Sequence, residues 1–447
     1  MKKLITTLKN IWSIEELRGK ILFTLSLIVV YRLGSHIVLP GINPLTLEAI
    51  AANSEQNGIL DLINTFAGGA FNQASFLALG IMPYITASIF MQLMTVLVPS
   101  FQKMQKEGES GRKKVNQITR YLTVLVTFVQ AFAYVSYLRQ TAGQAIDPSL
   151  SAISFTVLTV TLLTAGTLFV MWLGEKITDK GIGNGTSLII MAGIIARLPQ
   201  SFFQELELRS TRSGDILIFI VEIALFIAIV MGCIMLTLAV RKVPVNYAKQ
   251  IIGGKQIGGA RQFLPLKVNA ANVMPIIFAQ ALMFIPTLFT MGNPNSHLGR
   301  MFTDHTSGWY MLVYSIIVIG FTFLYTALIF NPRQISDNLK QNNGFIPGVK
   351  PGQPTTDFIG QIMDRITLPG AIMLAILGIL PGLVQVAFGM SQGFAMFFGG
   401  TSLLIMVGVI LDTLEQIETQ LMMRQYDGLM TTGRIQGRQS ASSITGM

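Results

Sequence analysis

The sequence predicts an all-α, polytopic membrane protein of ten spans, and three observations carry that class. Of its 447 residues 51% are hydrophobic and only 12% charged, with a mean hydropathy of +0.57, far from the balance of a soluble chain. Stretches apolar enough to cross a bilayer, which takes roughly 20 residues, recur along the whole length. The N-terminus and alternate connections hold 26 of the 32 Lys and Arg. Cytoplasmic connections carry that excess, so both termini are placed in the cytoplasm. Topology thus accounts for the net charge of +10, although basic loops also suit docking on RNA.

Taken in order, residues 1–17 set Leu4, Leu8, Ile11 and Trp12 at helical spacing beside Lys2, Lys3 and Lys9, the pattern of an interfacial helix. The first long apolar run starts only near Ile21 and no small-residue cleavage site follows, which argues against a cleavable signal. Spans are expected over 21–39, 74–98, 119–138, 153–173, 183–198, 216–240, 271–291, 310–330, 367–388 and 395–414. Between the first two, Gly58–Phe71 is apolar but too short to cross, and Gly68-Gly69 breaks it. It reads as a re-entrant helix, tolerable where protein encloses it, or as a helix on the membrane surface.

The two halves of the chain echo one another. Ile81-Met82-Pro83-Tyr84-Ile85 in the second span resembles Val273-Met274-Pro275-Ile276-Ile277 in the seventh, five spans later. Duplicated halves of inverted topology place a transport pathway at their interface, and the prolines imply local backbone adjustment in both spans. Connections 241–268 and 331–366 are rich in Gly, Pro and basic residues. Such loops commonly do no more than solvate span ends, but these are longer than topology needs, which suits docking.

Enzyme signatures are not visible: there is no phosphate-binding loop, no His-Glu-x-x-His and no nucleophile elbow. Gly181-Ile182-Gly183-Asn184-Gly185 precedes a span and reads as a tight turn. The single Cys233 falls inside a span, and His36, His297 and His305 lack ligand spacing. Ionisable residues within spans, chiefly Arg32, Glu222 and Asp412, lie near span ends and read as snorkelling or helix-pairing groups. A coupled transporter would set them near the midplane as a relay. A largely apolar or neutral pathway suits a substrate whose side chains vary. A channel therefore stands ahead of a small-solute transporter or an intramembrane protease, which would need a Ser/His or Asp pair within the spans.

Several motifs resemble those of the SecY family, in order, over roughly residues 15–425. They are Glu107-Gly108-Glu109-Ser110-Gly111-Arg112, the 181–185 turn, Asn246-Tyr247-Ala248-Lys249, Pro265-Leu266-Lys267-Val268-Asn269, Phe330-Asn331-Pro332-Arg333, Asp337-Asn338-Leu339-Lys340 and Gly399-Gly400-Thr401-Ser402-Leu403-Leu404. The resemblance implies two pseudo-symmetric five-helix halves around an hourglass pore that opens sideways between spans 2 and 7. It divides the chain into a cytoplasmic interfacial segment (1–20), halves 21–204 and 205–423, and a cytoplasmic tail (424–447).

The resemblance also implies roles. The short re-entrant helix becomes a plug, carried by Ile59, Leu60, Leu62, Ile63, Phe66, Gly68 and Gly69, and the lateral gate falls at Thr86, Gln130 and Ile285. The pore ring falls at Ile81, Ile85, Thr186, Ile190, Ile277 and Ile405, where Thr186 departs from a wholly apolar ring. Branched apolar side chains there would act as a gasket that opposes ion flow and yields to a passing chain. Motor and ribosome contacts fall at Lys249, Lys255, Arg261, Arg333, Lys340 and Lys350. At Lys350 many relatives carry Arg, so a planar fork becomes a point charge. Implied partners are SecE and SecG subunits, the SecA motor ATPase, the translating ribosome, signal peptides, nascent membrane proteins and the lipid bilayer. The implied protein is not an enzyme, uses no cofactor and resides in the cell inner membrane.

Overall fold

Among the described residues there are ten long helices: α1 (Glu15–Ser35), α2 (Met82–Leu97), α3 (Glu109–Thr141), α4 (Ala152–Lys180), α5 (Gly185–Thr211), α6 (Ile216–Leu238), α7 (Met274–Thr290), α8 (Gly308–Ile329), α9 (Gln353–Phe388) and α10 (Gly400–Thr431). The structure is a computed structural model that describes residues 12, 14–47, 67–148, 151–211, 216–247, 250–252, 255–257, 261–290 and 306–431. The expected N-terminal helix lies almost entirely outside them, as does most of the expected plug, including Ile59, Leu60, Leu62, Ile63 and Phe66. Seven of the ten helices are by themselves long and apolar enough to cross a membrane. The exceptions are α1, which carries Glu15, Glu16, Arg18, Lys20 and Arg32, and the short helices α2 (16 residues) and α7 (17 residues).

The halves repeat. In the first five helices α2 packs on α3, α3 on α4 and α4 on α5, with α1 against α4 and α5. Five helices later α7 packs on α8, α8 on α9 and α9 on α10, with α6 against α9 and α10. An odd number of spans per repeat makes equivalent helices run in opposite directions, the inverted plan of many transport proteins. The two sets join where α5 packs on α6 and α10.

Both short helices begin at Met-Pro, α2 at Met82-Pro83 and α7 at Met274-Pro275. A proline in the first turn gives up no intrahelical bond, and its fixed φ suits the start. The prolines therefore open helices rather than kink them. The second span, expected from residue 74, is correspondingly shorter: 74–81 are turns, with Ala74 at φ +46° and Gly80 at +52°. That irregular segment is enclosed by protein, as backbone at membrane depth must be. Ala67, Ala70, Ala74 and Ala78 are fully buried against the α3 and α4 side chains Tyr134, Val135, Leu138, Phe155 and Leu163, and small side chains permit that close approach. The Tyr134 hydroxyl donates to the Phe71 carbonyl at 2.7 Å.

Other boundaries also moved. Helix α5 continues through Pro199 to Thr211, so the division drawn at residue 204 falls inside it. Helix α10 starts at Gly400, after a short helix at Gln392–Ala395 and a 3-10 turn, and runs to Thr431, past the expected tail boundary.

The two basic connections are folded rather than looped. Strands β1 (Val240–Tyr247), β2 (Gln250–Ile252), β3 (Lys255–Ile257) and β4 (Arg261–Lys267) occupy the first. The second holds a helix, Pro332–Gln341, and β5 (Gly344–Phe345). Asn331 caps that helix by accepting from the Gln334 amide. Antiparallel pairing in the order β4-β1-β5 ties the connections into one sheet. Helix α9, with 36 residues, is about 54 Å long at 1.5 Å per residue, well beyond the bilayer core. Its projecting start supplies Ile359 and Met363, which bury Val243, Val245, Leu266, Leu339 and Ile346 from both connections.

Candidate functional site

The residues expected to line a constriction all sit near helix starts. Ile81 precedes α2 and Ile85 lies in its first turn; Thr186 and Ile190 open α5; Ile277 opens α7; Ile405 lies in the second turn of α10. Ile81, Ile190 and Ile405 are buried in one cluster that spans both halves, with Ile85 and Val273 packed against it. Thr186 and Ile277 are half-buried.

The α5 start is held by the turn before it. The Thr24 hydroxyl of α1 accepts from the Ile182 amide at 3.1 Å, and Gln416 Oε1 of α10 accepts from the Gly183 amide at 2.9 Å. Gly183 sits at φ +81°, a conformation that side chains resist. At Gly185 an added Cβ would lie 2.0 Å from the Gly174 carbonyl oxygen, so α4 and α5 approach at backbone contact. The turn reading of these glycines stands, with contacts into both halves as its structural content.

A second echo went unread in the sequence. Gly185-Thr186-Ser187-Leu188-Ile189-Ile190 at the start of α5 matches Gly400-Thr401-Ser402-Leu403-Leu404-Ile405 at the start of α10, differing at one position of six. Spans 5 and 10 are thereby equivalent, as spans 2 and 7 are. The register makes Ile190 the counterpart of Ile405 and Thr186 the counterpart of Thr401, which is itself buried. The threonine that breaks an all-isoleucine pattern thus has a twin.

Of the residues expected to form a plug, Gly68 and Gly69 fall among the described ones. Gly68 and Gly69 have φ of +64° and +93°. Arg32 Nη1 of α1 donates to the Gly68 carbonyl at 3.1 Å, and a Cβ at Gly68 would come within 2.6 Å of that nitrogen and 2.9 Å of the Gly193 Cα. Arg32 therefore pairs with a neighbouring segment.

Of the expected gate residues, Thr86 is exposed on α2 and Gln130 half-buried on α3. Ile285 lies in α7 with its side chain outside the described residues. Arg333, Lys340 and Lys350 are exposed on the folded second connection. Arg261 and Lys255 fall in β4 and β3, their side chains outside the described residues, and Lys249 lies outside them altogether.

One charged cluster escaped the sequence reading because Glu205 and Arg209 were assigned to a loop. At the end of α5, Arg209 donates through Nε to Glu205 Oε1 at 3.0 Å, and through Nη2 to Glu222 Oε1 of α6 and the Phe388 carbonyl of α9, each at 2.7 Å. The Ser391 amide donates to Glu205 Oε2 at 2.9 Å. Glu222 is fully buried, so of the two roles expected for it the structure selects helix pairing. Asp412 is exposed on α10.

The fold and site define a polytopic helical membrane protein built from two inverted five-helix repeats, with apolar side chains from both repeats gathered at their seam. The SecY family model matches residues 75–414. Proteins named protein translocase subunit SecY are 40% identical over 441 residues in Streptomyces galbus, covering 96% of this chain and 100% of that one. In Halalkalibacterium halodurans the identity is 42% over 435 residues, covering 95% and 99%. The chain belongs to the SecY family. A solved structure of a protein conducting channel superposes with a TM-score of 0.62 at 17% identity, covering 90% of this chain and 92% of that one. Sec61 in a canine ribosome-channel complex from the endoplasmic reticulum gives 0.58 at the same identity and coverage. Both carry the same fold.

Proposed function

We propose that this chain is the pore-forming subunit of a protein translocase, passing unfolded polypeptides across the inner membrane and releasing apolar segments sideways into lipid. The observation that carries the reading is the single buried cluster in which Ile81, Ile190 and Ile405 meet from helices of both halves. With Ile85, Thr186 and Ile277 they form the ring. Such a constriction is dry when closed, opposing ions, and its side chains yield to a passing chain.

The two halves, α1–α5 and α6–α10, part on the side of α2 and α7, where Thr86, Gln130 and Ile285 form the gate. An apolar segment of about 20 residues then partitions into lipid. The segment around 59–69 acts as plug, hinged at Gly68-Gly69. Exposed Arg333, Lys340 and Lys350, with Lys249, Lys255 and Arg261, receive a motor ATPase of the SecA kind or the ribosome. SecE- and SecG-type subunits complete the complex, and both termini face the cytoplasm, as the basic excess requires. The chain itself performs no chemistry in this reading; its partners supply the work.

A small-solute transporter is the competing reading. The Glu205, Arg209 and Glu222 cluster at one end of α5 speaks against it, because these charges are paired with one another at a helix end rather than forming a midplane relay.

The test is reconstitution of the purified chain with its co-purifying subunits into vesicles, supplied with motor, ATP and a precursor protein. ATP-dependent protection of the precursor from protease is expected. Solute uptake without precursor protection would favour the transporter.

A further inference from the structure

On the channel reading, which this inference assumes, the halves must part between α2 and α8 as well as α7, and a hydrogen bond spans that seam. The Tyr325 hydroxyl of α8 donates to Gln92 Oε1 of α2 at 2.9 Å. Gln92 lies five residues before Leu97 and Tyr325 four before Ile329, each near the last turn of its helix. Both helices lead into basic connections, so the pair sits at the cytoplasmic end of the seam.

We propose that Gln92 and Tyr325 form a polar latch that sets how apolar a signal segment must be to open the gate. Tyr325 is placed for this by aromatic packing within its own half. Phe278 of α7 stacks on Phe321 at 5.4 Å between centroids and leans on the Tyr325 ring at 6.2 Å. The ring therefore stays with α7 and α8, and the Gln92 amide travels with α2. On the opposite side the halves are joined by the packing of α5 on α6 and α10, so α2 and α8 can separate while that far seam stays packed. Parting the helices breaks this interhelical bond, so it favours the closed gate. An inserting segment offsets that loss through its own burial in lipid, so weakly apolar segments are the ones the latch rejects.

The experiment uses Tyr325→Phe, which keeps the ring on Phe278, together with Gln92→Leu and the double variant, in the full complex. Transport is measured for one reporter carrying signal sequences of graded hydrophobicity. Interhelical hydrogen bonds in membranes average about 0.6 kcal/mol, or about threefold. Each single variant should raise transport of the weakest signals about threefold, leave the strongest unchanged, and show no further gain in the double. Unchanged weak-signal transport in both single variants, or additive effects in the double, would overturn the latch. As a second measurement, Gln92→Cys with Tyr325→Cys joined by a short bis-maleimide should stop transport of weak and strong signals alike. Full cross-linking with continued transport would also overturn it. A parent complex that transports no signal at all would overturn the channel reading, and the latch with it.

Discussion

Ile190 and Ile405 hold the same place in a six-residue repeat at the starts of α5 and α10, and they are buried in one cluster at the seam between the halves. Equivalent helices that pack directly on each other place the pseudo-twofold relationship between them. A constriction built around that seam is then lined twice by the same register: Ile85 with Ile277 from α2 and α7, and Ile190 with Ile405 from α5 and α10.

Replacing Ile405 with Asn puts an amide into this apolar cluster, at a cost of about 1–3 kcal/mol when no partner satisfies it. The closed state bears that cost and the hydrated open state bears less, so opening should gain up to roughly tenfold per 1.4 kcal/mol. Resting ion conductance of reconstituted vesicles should rise, and precursors with weakened signals should pass more readily. The repeat extends the expectation to Ile190→Asn with the same sign. A folded Ile405→Asn variant with parental conductance and signal dependence would remove Ile405 from the constriction.

Arg209 and Glu222 form a buried ion pair at 2.7 Å, and breaking one is costly because the remaining charge stays in a low dielectric. Glu222→Leu should destabilise the protein by about 3 kcal/mol, the low end of the usual range because Glu205 still pairs with Arg209. Thermal unfolding in mild detergent reads this directly. Removing the whole cluster, with Arg209→Met, Glu205→Gln and Glu222→Leu together, should recover most of the loss; a further drop in unfolding temperature would show that the pair contributes net stability.

At the proposed plug hinge the two glycines should differ. Gly68→Ala meets Arg32 and the Gly193 backbone, whereas a Cβ at Gly69 meets nothing within 4 Å. Both substitutions carry the backbone strain of a positive φ, about 1–2 kcal/mol. Gly68→Ala should therefore leak more ions than Gly69→Ala in a conductance assay. Deleting residues 60–67 should leave a channel that translocates yet leaks. An ion-tight deletion variant would take the sealing role away from this segment.

Reversing Lys340 and Lys350 to Glu should impair motor-driven transport and weaken motor binding without unfolding the chain, since both side chains are exposed. Circular dichroism checks the fold and co-sedimentation checks the binding. Parental affinity in the double variant would remove these lysines from the docking surface.

Much of this was legible in the sequence, for physical reasons that also mark where reading stopped. Apolar runs of span length recur along the chain and the Lys/Arg excess alternates between their connections, so the order and approximate place of ten helices could be read directly. Helix ends were harder. The fifth span was expected to end at residue 198, yet α5 runs on through Pro199 to Thr211, which hid the partnership of Glu205 and Arg209 with Glu222. The Met-Pro echo was visible, but whether its prolines kink or begin a helix depends on the turns at 74–81 that only folding reveals. The sheet joining the two basic connections pairs residues as far apart as Asn246 and Phe345, and no local pattern announces such a pairing. The Gly185 and Gly400 repeat was legible throughout and was missed.

The central claim is that polypeptide passes through the cluster where Ile190 and Ile405 meet. A photo-cross-linking amino acid at Ile405, compared with one at Leu217, which is 73% exposed on α6, tests it during arrest of a precursor in mid-transport. The account predicts adducts between the arrested precursor's hydrophilic mature region and position 405, requiring both motor and ATP, and none at 217. Adducts at 217 without adducts at 405 would contradict it.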